Sequence, residues 1–238
     1  MTTATTMLPA LGLRIEAGPV ELRGITDDLL GPLADLAAAG IHDPDVMPFS
    51  TAWTTAPPEE LPRNFAQHHW QVRASFSPEK WSMELAVFWN GELTGIQGIF
   101  AKDYLVTRAA ETGSWLGRAY QGKGIGTAMR QVMCAFAFDH LDADYLTSAA
   151  FADNPAPRAV SRKVGYTENG RRRVDRLGKP AMLVGLLLEP ENFVRFEHEL
   201  TVHGLPELRR SIGLDATSTR LSRTDRSDSQ AFAFSPGS

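Results

Sequence analysis

The most informative stretch of this chain is LGRAYQGKGIGTAM, residues 116–129, which places a glycine-rich turn between a strand-like run and a long amphipathic helix. Glycine lets the backbone approach a ligand closely and tolerates positive φ. The helix that follows directs its first unpaired N–H groups toward the same spot. Because these groups lie at the positive end of the helix dipole, we expect the turn to bind an anion, best a pyrophosphate.

Three phosphate-binding patterns compete for this turn. A Walker A loop needs a hydroxyl residue directly after its lysine, but Gly124 follows Lys123, which excludes that pattern. A dinucleotide-binding turn needs a third glycine where this chain has Thr127. Asp142 and Asp144 do lie near the spacing of a ribose-binding acid, so the dinucleotide alternative stays open.

The third pattern is a Gln or Arg followed three residues later by Gly-x-Gly or Gly-x-Ala, and residues 121–126 match it. A second motif follows in DNPAPRAVSRKVGY, residues 153–166. There Asn154 is a good N-cap, Pro155 suits the first helical position and Gly165 suits the position just after the helix. The two motifs in this order resemble the GCN5-related N-acetyltransferase (GNAT) superfamily, and the resemblance covers roughly residues 13–188.

Composition narrows the function classes. A chain of 238 residues, 43% of them hydrophobic, can bury one sizeable core. The net charge of −4 argues against charge-driven binding of nucleic acid. The single cysteine, Cys134, excludes an internal disulfide and is more typical of core packing than of a nucleophile. Since neither an apolar run of ~18 residues nor a signal peptide is evident, we expect a cytoplasmic protein without membrane contact.

The pattern along the chain predicts an α/β fold with a mixed, mostly antiparallel central sheet flanked by helices, in the order that the GNAT resemblance implies. Asn90-Gly91 predicts a type I′ hairpin between strands at 81–89 and 92–100. Further strands are expected at 13–15, 20–23, 112–116, 145–151, 166–175 and 181–188, and helices at about 27–37, 59–76, 127–140, 156–164, 193–203 and 205–212.

We divide the chain into four segments. Residues 1–12 are expected to be a flexible N-terminus, and residues 13–188 the acyltransferase domain that the resemblance implies. Residues 189–214 follow as a helical extension. Residues 215–238 have few apolar side chains, which predicts a disordered tail.

The resemblance implies acetyl-CoA or another acyl-CoA as co-substrate. The backbone of residues 121–127 would hold the pyrophosphate, the splayed strand end before it would pair with the pantetheine, and Asn154 would hydrogen-bond the pantetheine amides. The implied coenzyme A-binding residues are Trp115, Leu116, Gln121, Gly122, Lys123, Gly124, Ile125, Gly126, Thr127 and Asn154.

The resemblance also implies direct attack of a neutral amine on the thioester, without a covalent enzyme intermediate. Many members protonate the leaving sulfur with a Tyr four residues before the closing glycine, and Ser161, a weaker acid, occupies that position here. The Glu that some members carry five residues before the Asn is replaced by Ala149. Glu111 and Glu84 are the candidate general bases, and deprotonation through water is left open.

A loop rich in proline and aromatic residues, 42–58, resembles the ribosomal-protein N-terminal acetyltransferase branch, and we expect it to line the acceptor cleft. The acceptor is expected to be a protein N-terminus or a small-molecule amine, with the acyl group left open. His68 and His69 are adjacent and diverge on a helix, so we predict no metal. A homodimer and a catalytically silent acyl-CoA-binding module remain open.

Overall fold

The structure, a computed structural model, describes residues 2–215 and contains a nine-stranded sheet. The strands are β1 (Arg14–Ala17), β2 (Val20–Gly24), β3 (Lys80–Trp89), β4 (Glu92–Lys102), β5 (Ala109–Leu116), β6 (Tyr145–Phe151), β7 (Thr167–Arg176), β8 (Lys179–Leu188) and β9 (Thr201–His203). The α-helices are α1 (Ala4–Met7), α2 (Asp27–Ala38), α3 (Leu61–Ala74), α4 (Tyr104–Thr107), α5 (Ile125–His140), α6 (Pro155–Val164) and α7 (Leu205–Ser211).

The strands lie in the order β7-β8-β6-β5-β4-β3-β2-β1-β9. Among the described residues, β5 and β6 form the single parallel pair, and the other neighbours run antiparallel. The mixed, mostly antiparallel sheet predicted from the sequence is confirmed. The parallel pair is placed near the middle of the sheet, where the glycine-rich turn leaves β5.

Alternating strand residues divide the core into two layers. On one face Leu85 of β3 belongs to the same buried cluster as Phe136 of α5. On the opposite face Ala86 packs with Leu33 of α2 and Phe65 of α3. Helix α5 therefore covers one face of the sheet, while α2 and α3 cover the other.

Two local signals in the sequence are confirmed. The β3–β4 turn places Asn90 at φ 50° and Gly91 at φ 82°, as a type I′ turn requires. Helix α6 ends at Gly165, whose φ is 109°. A Cβ on Gly165 would lie 1.9 Å from the carbonyl oxygen of Asn192, so only glycine fits this helix end.

The prediction of a helix at 193–203 is wrong. This stretch follows a 3₁₀ turn, Pro190–Asn192, and ends in β9, which pairs with β1. Phe193, Phe196 and Leu200 have the spacing of a helix face, but they contact the core from an irregular segment. Pairing with β1 satisfies backbone groups at the sheet edge, and this tertiary gain outweighs the helical periodicity.

The second half of the extension is helical as predicted, because α7 buries Leu208 in the main core. Residues 4–12, expected to be flexible, form α1 and a 3₁₀ turn in which Ala10 is buried. The tail prediction for 215–238 lies outside the described residues except for Asp215. The division into four segments stays a prediction.

Candidate active site

Strands β5 and β6 diverge, and the opening between them is the centre of the candidate site. They pair only where residues 109–111 face residues 145–147. Beyond this point β5 stays paired with β4 as far as Leu116, and β6 stays paired with β8 as far as Phe151. In the described chain, the facing edges at 113–116 and 149–151 thus have no strand between them. The carbonyls of Gly113 and Leu116 accept from the side chains of Gln97 and Gln121. The backbone groups of these edges that have no protein partner can bind a ligand that carries amides.

The glycine-rich turn lies between the end of β5 and the start of α5. Gly122 has φ 74° and Gly124 has φ 86°, and a Cβ on either would meet nothing within 4 Å. Within residues 2–215, the N–H groups of residues 122–126 donate to no protein acceptor. An unhindered turn with free N–H groups at a helix N-terminus is suited to a phosphate.

The side chain of Gln121 stabilises this turn. Its Nε2 donates to the carbonyl of Ile41 at 2.7 Å and to that of Leu116 at 2.9 Å. The side-chain amide is therefore engaged with the protein. Lys123 is exposed, with its Nζ 5.9 Å from the ring of Tyr120, and remains free to approach an anion.

Helix α6 flanks the same opening. A Cβ on Gly126 would lie 3.6 Å from both Leu116 Cδ1 and Val160 Cγ2, so the start of α5, the end of β5 and α6 meet here. Asn154 is the N-cap of α6 and makes no side-chain capping bond, which leaves its amide for another partner. Ser161 is 2% exposed and therefore lies on the inward side of α6.

A buried arginine that the sequence analysis missed lies between the diverging strands. Arg130 of α5 is 5% exposed. Its Nη2 donates to Ser114 Oγ of β5 at 2.9 Å, its Nη1 to Ser148 Oγ of β6 at 3.4 Å, and its Nε to Gln97 Oε1 of β4 at 3.4 Å. These partners are neutral, so none of them compensates the positive charge of the guanidinium. This charge lies beside the opening and can stabilise a negatively charged oxygen there.

A cleft of about 820 Å³ lies on the opposite face of the sheet, between α3, the loop at 49–57 and strands β3 to β5. Aromatic rings form much of its wall. Trp53 lies 6.0 Å from Trp115 and 6.1 Å from Phe65, measured between ring centroids. Ser114 and Trp115 line the cleft at the place where β5 leaves β6, so the cleft and the opening meet.

The titratable groups of the cleft are concentrated at its α3–β3 side. His68 Nε2 lies 3.1 Å from Glu84 Oε2, and His69 Nδ1 lies 3.2 Å from the same oxygen. The pKa of His69 is lowered to about 4, chiefly by burial, so its ring is neutral near pH 7. Burial acts to raise the pKa of Glu84, but the hydrogen bond from His68 and the nearby histidines outweigh it and lower the pKa.

Glu111, the other candidate base, and Cys134, which the sequence assigns to the core, are separated from this cluster. Glu111 is exposed on β5 and does not line the cleft, although it shares a strand face with Gly113 and Trp115. Cys134 is fully buried, and burial raises its pKa to about 11, which leaves no thiolate for nucleophilic attack. Among residues 2–215, no group of three or more metal-ligating side chains is arranged to hold an ion.

Helices in the described part of the chain are too short or too polar to cross a bilayer.

A family model described as an acetyltransferase (GNAT) domain matches residues 20–167. The "Putative ribosomal N-acetyltransferase YdaF" of Bacillus subtilis (strain 168) is 32% identical over 91 residues, which are 38% of this chain and 49% of that protein. The match therefore spans about half the length of that relative.

Two solved structures share the fold. One is RimL, described as a ribosomal L7/L12 alpha-N-protein acetyltransferase in complex with coenzyme A. It has a TM-score of 0.59 and 18% identity, covering 73% of this chain and 98% of that chain. The other is Mycobacterium smegmatis RimJ in complex with CoA-disulfide, with a TM-score of 0.62 and 17% identity, covering 75% of this chain and 86% of that chain.

Proposed function

This chain belongs to the GNAT acetyltransferase family, and we propose that it transfers an acyl group, most simply acetyl, from coenzyme A to a primary amine. The observation that carries the proposal is the opening between β5 and β6. The unhindered glycine turn lies at one end of this opening, and the aromatic cleft meets it from the other face of the sheet. Two substrates can thus meet there without sharing an entrance.

For the acyl-CoA, we propose the residues inferred from the sequence, except that the N–H groups of Gln121 and Thr127 donate to the carbonyls of Arg118 and Gly124 and are therefore not free to bind phosphate. The N–H groups of residues 122–126 bind the pyrophosphate, since they are free and point from the positive end of α5. The edge of β5 at Trp115 and Leu116 pairs with the pantetheine, and the free side chain of Asn154 donates to it. The role of Gln121 is to hold the turn in shape through its two backbone partners.

The reaction needs a neutral amine, a stabilised oxyanion and a proton for the departing sulfur. Ser161, buried on α6, is our proposed donor to the sulfur. Arg130 supplies positive charge beside the opening for the oxygen of the tetrahedral intermediate. Glu111, the base inferred from the sequence, is exposed on β5 and does not line the cleft, so it stays a candidate that could act only through water.

The acceptor in this proposal is a cationic amine, either a protein N-terminus or a small molecule. Within the described chain, the cleft lining includes Glu60 and Glu84 but no Lys or Arg. The aromatic rings that line the cleft favour a cationic group and the apolar part of the acceptor next to it. RimL, which shares the fold, is described as acting on a protein α-amine.

Thiol release during incubation with acetyl-CoA tests the proposal. A short peptide with a free N-terminal serine and the polyamine spermidine serve as acceptors, and a thiol-reactive dye detects free coenzyme A. Amine-dependent thiol release is the expected result. The alternative, a catalytically silent acyl-CoA-binding module, requires a higher melting temperature with acetyl-CoA but no thiol release with any amine.

A further inference from the structure

The accessible member of the cluster at the α3–β3 side of the cleft is His68. Its side chain is 56% exposed, whereas those of Glu84 and His69 are 17% and 5% exposed. Both histidines approach the same oxygen of Glu84, Oε2. A molecule in the cleft can therefore reach the ring of His68, while Glu84 lies behind it.

We propose that His68 is the general base that removes a proton from the acceptor amine, and that Glu84 is the positioning residue that orients its ring. This inference rests on the proposed acyl transfer. An ionised carboxylate only accepts hydrogen bonds, so the Nε2 of His68 must carry the hydrogen that it donates to Glu84 at 3.1 Å. In the neutral ring this leaves Nδ1 with a free lone pair, which is the proton acceptor.

The sheet register leads from this pair to the opening between β5 and β6. Glu84 of β3 faces Gly98 of β4, which in turn faces Gly113 of β5. Neither glycine has a side chain, and the ring of Phe100 lies over both, so the path along the cleft runs across this ring. The row spans two strand spacings, ~10 Å, which is longer than one hydrogen bond, so His68 takes the proton from an amine at the opening through a chain of about three water molecules in the cleft.

The charged groups around His68 favour this role. The hydrogen bond to Glu84 raises the pKa of His68, and this effect outweighs the lowering by burial. A higher pKa makes His68 a stronger base toward the acceptor ammonium group. His69, the neighbour on α3, is neutral near pH 7 because burial lowers its pKa to about 4.

The remaining charges fit a cationic acceptor. Glu60, at the start of α3, lines the cleft and adds negative charge. Arg73, one turn beyond His69 on α3, donates to Asp27 of α2 and to the carbonyl of Ile25. Its positive charge is therefore engaged, and the cleft retains its attraction for an ammonium group.

The acyl transfer removes two protons from the acceptor nitrogen and replaces a C–S bond by a C–N bond. The acceptor enters as R–NH₃⁺, and Nδ1 of His68 takes one proton to leave the neutral amine. The nitrogen lone pair attacks the thioester carbonyl carbon, a C–N bond forms, and the C–S bond breaks with its electron pair on sulfur. Ser161 gives its proton to the thiolate and is restored by the second proton lost from nitrogen. His68 returns its proton to water, so the products are an amide, a free thiol and one proton.

The test compares His68→Gln with His203→Gln in the full chain. His203 is a matched control, because its Nε2 also lies 3.1 Å from a glutamate oxygen, that of Glu16, and its side chain is 55% exposed. That pair joins β9 to β1, outside the cleft. The measurements are kcat/KM against pH, with acetyl-CoA and the N-terminal serine peptide, and the melting-temperature shift with acetyl-CoA.

We expect His68→Gln to lower kcat by about 10²–10⁴-fold, to abolish the acidic limb of the pH profile, and to leave the acetyl-CoA shift unchanged. His203→Gln should match the wild type in kcat, in the acidic limb of the pH profile and in the melting-temperature shift with acetyl-CoA. Glu84→Gln should move the acidic limb to lower pH, because it removes the partner that raises the pKa of His68. Added imidazole should partly restore the rate of His68→Ala.

Wild-type rate and an unchanged acidic limb in His68→Gln would overturn the assignment. Loss of the limb in Glu111→Gln, with the limb retained in His68→Gln, would overturn it in favour of Glu111. A wild type that binds acetyl-CoA but releases no thiol with any amine would overturn the proposed function, and the role of His68 with it. The rate of thiol release by the wild type therefore distinguishes failure of the His68 assignment from failure of the proposed function.

Discussion

Gly98 of β4 and Gly113 of β5 lie directly opposite each other, and the ring of Phe100 covers both. A Cβ on Gly98 would be 2.6 Å from Phe100 Cζ, and one on Gly113 would be 3.2 Å from Phe100 Cε2. The two glycines thus let an aromatic ring lie against the sheet as the floor of the cleft. This floor connects Glu84 with the opening between β5 and β6.

The floor predicts the effect of Gly98→Ala. The new methyl group must displace the ring of Phe100, whose far end is free to move into the cleft. We expect the KM for the N-terminal serine peptide to rise about tenfold, ~1.4 kcal/mol, with the acetyl-CoA affinity unchanged. Steady-state kinetics measure both. Gly31→Ala is the control, because a Cβ there meets nothing within 4 Å, and an equal rise in both variants would contradict the account.

Substitution in the glycine turn should abolish acyl-CoA binding. Gly124→Asp puts a side chain and a negative charge where the phosphates are proposed to bind. Gly91→Asp is matched, since Gly91 has φ 82°, Gly124 has φ 86°, and neither has a neighbour within 4 Å of its Cβ position. Both variants should therefore lose a similar amount of stability, about 1–2 kcal/mol.

The measurement is the melting temperature with and without acetyl-CoA. At ~100 times its Kd the ligand should add about 2.7 kcal/mol to the wild type and to Gly91→Asp, and nothing to Gly124→Asp. Full protection of a folded Gly124→Asp protein would remove the turn from the binding site. Protection by NAD in place of acetyl-CoA would favour the dinucleotide alternative.

Ser161→Ala should slow acyl transfer without weakening acyl-CoA binding, because the proposed proton donation acts in the transition state. A serine hydroxyl is a weak acid, so we expect a loss of no more than about 10²-fold in kcat. Ser211→Ala is the control, since Ser211 is a helical serine of α7 whose hydroxyl bonds within its own helix. Equal activity of the two variants across the pH range would assign the proton to solvent.

His69 should make the protein less stable in mild acid. Because burial lowers its pKa from 6.5 to about 4, the folded state binds fewer protons than the unfolded state in this range. The stability is therefore fully present above pH 6.5 and falls as the pH is lowered toward 4. Since one pKa unit corresponds to about 1.36 kcal/mol, the lowered pKa of His69 corresponds to about 3 kcal/mol of folding free energy.

Urea unfolding between pH 4 and pH 7 tests this. The free energy of unfolding should fall less steeply with acid in His69→Gln than in the wild type, whatever the absolute stability of the variant. His203→Gln, at a side chain that is 55% exposed, is the control for the loss of a histidine. A wild-type slope in His69→Gln would show that His69 does not titrate with unfolding.

Sequence patterns predict the structure correctly where a few neighbouring residues determine the backbone conformation. The hairpin at Asn90-Gly91 and the helix end at Gly165 depend on residues close together in the chain, and α5 begins at Ile125, two residues before the predicted start. They were weakest where a distant partner decides the conformation. Residues 201–203 form a strand because they pair with the edge strand β1, and the sequence of this stretch does not identify β1 as its partner.

The candidate site shows the same division. The glycine turn is a contiguous motif and could be found by reading along the chain. The pairing of His68 with Glu84 links residues 16 positions apart, and Arg130 reaches Gln97 from 33 positions away. These contacts depend on the register of β3, β4 and β5 and on where α3 and α5 cross them. Only the three-dimensional arrangement brings them together.

A crystal structure of the chain with bound coenzyme A tests the central claim most directly. We expect the pyrophosphate on the N–H groups of residues 122–126 and the sulfur in the opening between β5 and β6, near Ser114 and Ser148, with the aromatic cleft still empty beside it. A nucleotide bound away from the glycine turn, or a sulfur that fills the cleft where the amine is proposed to bind, would contradict the account.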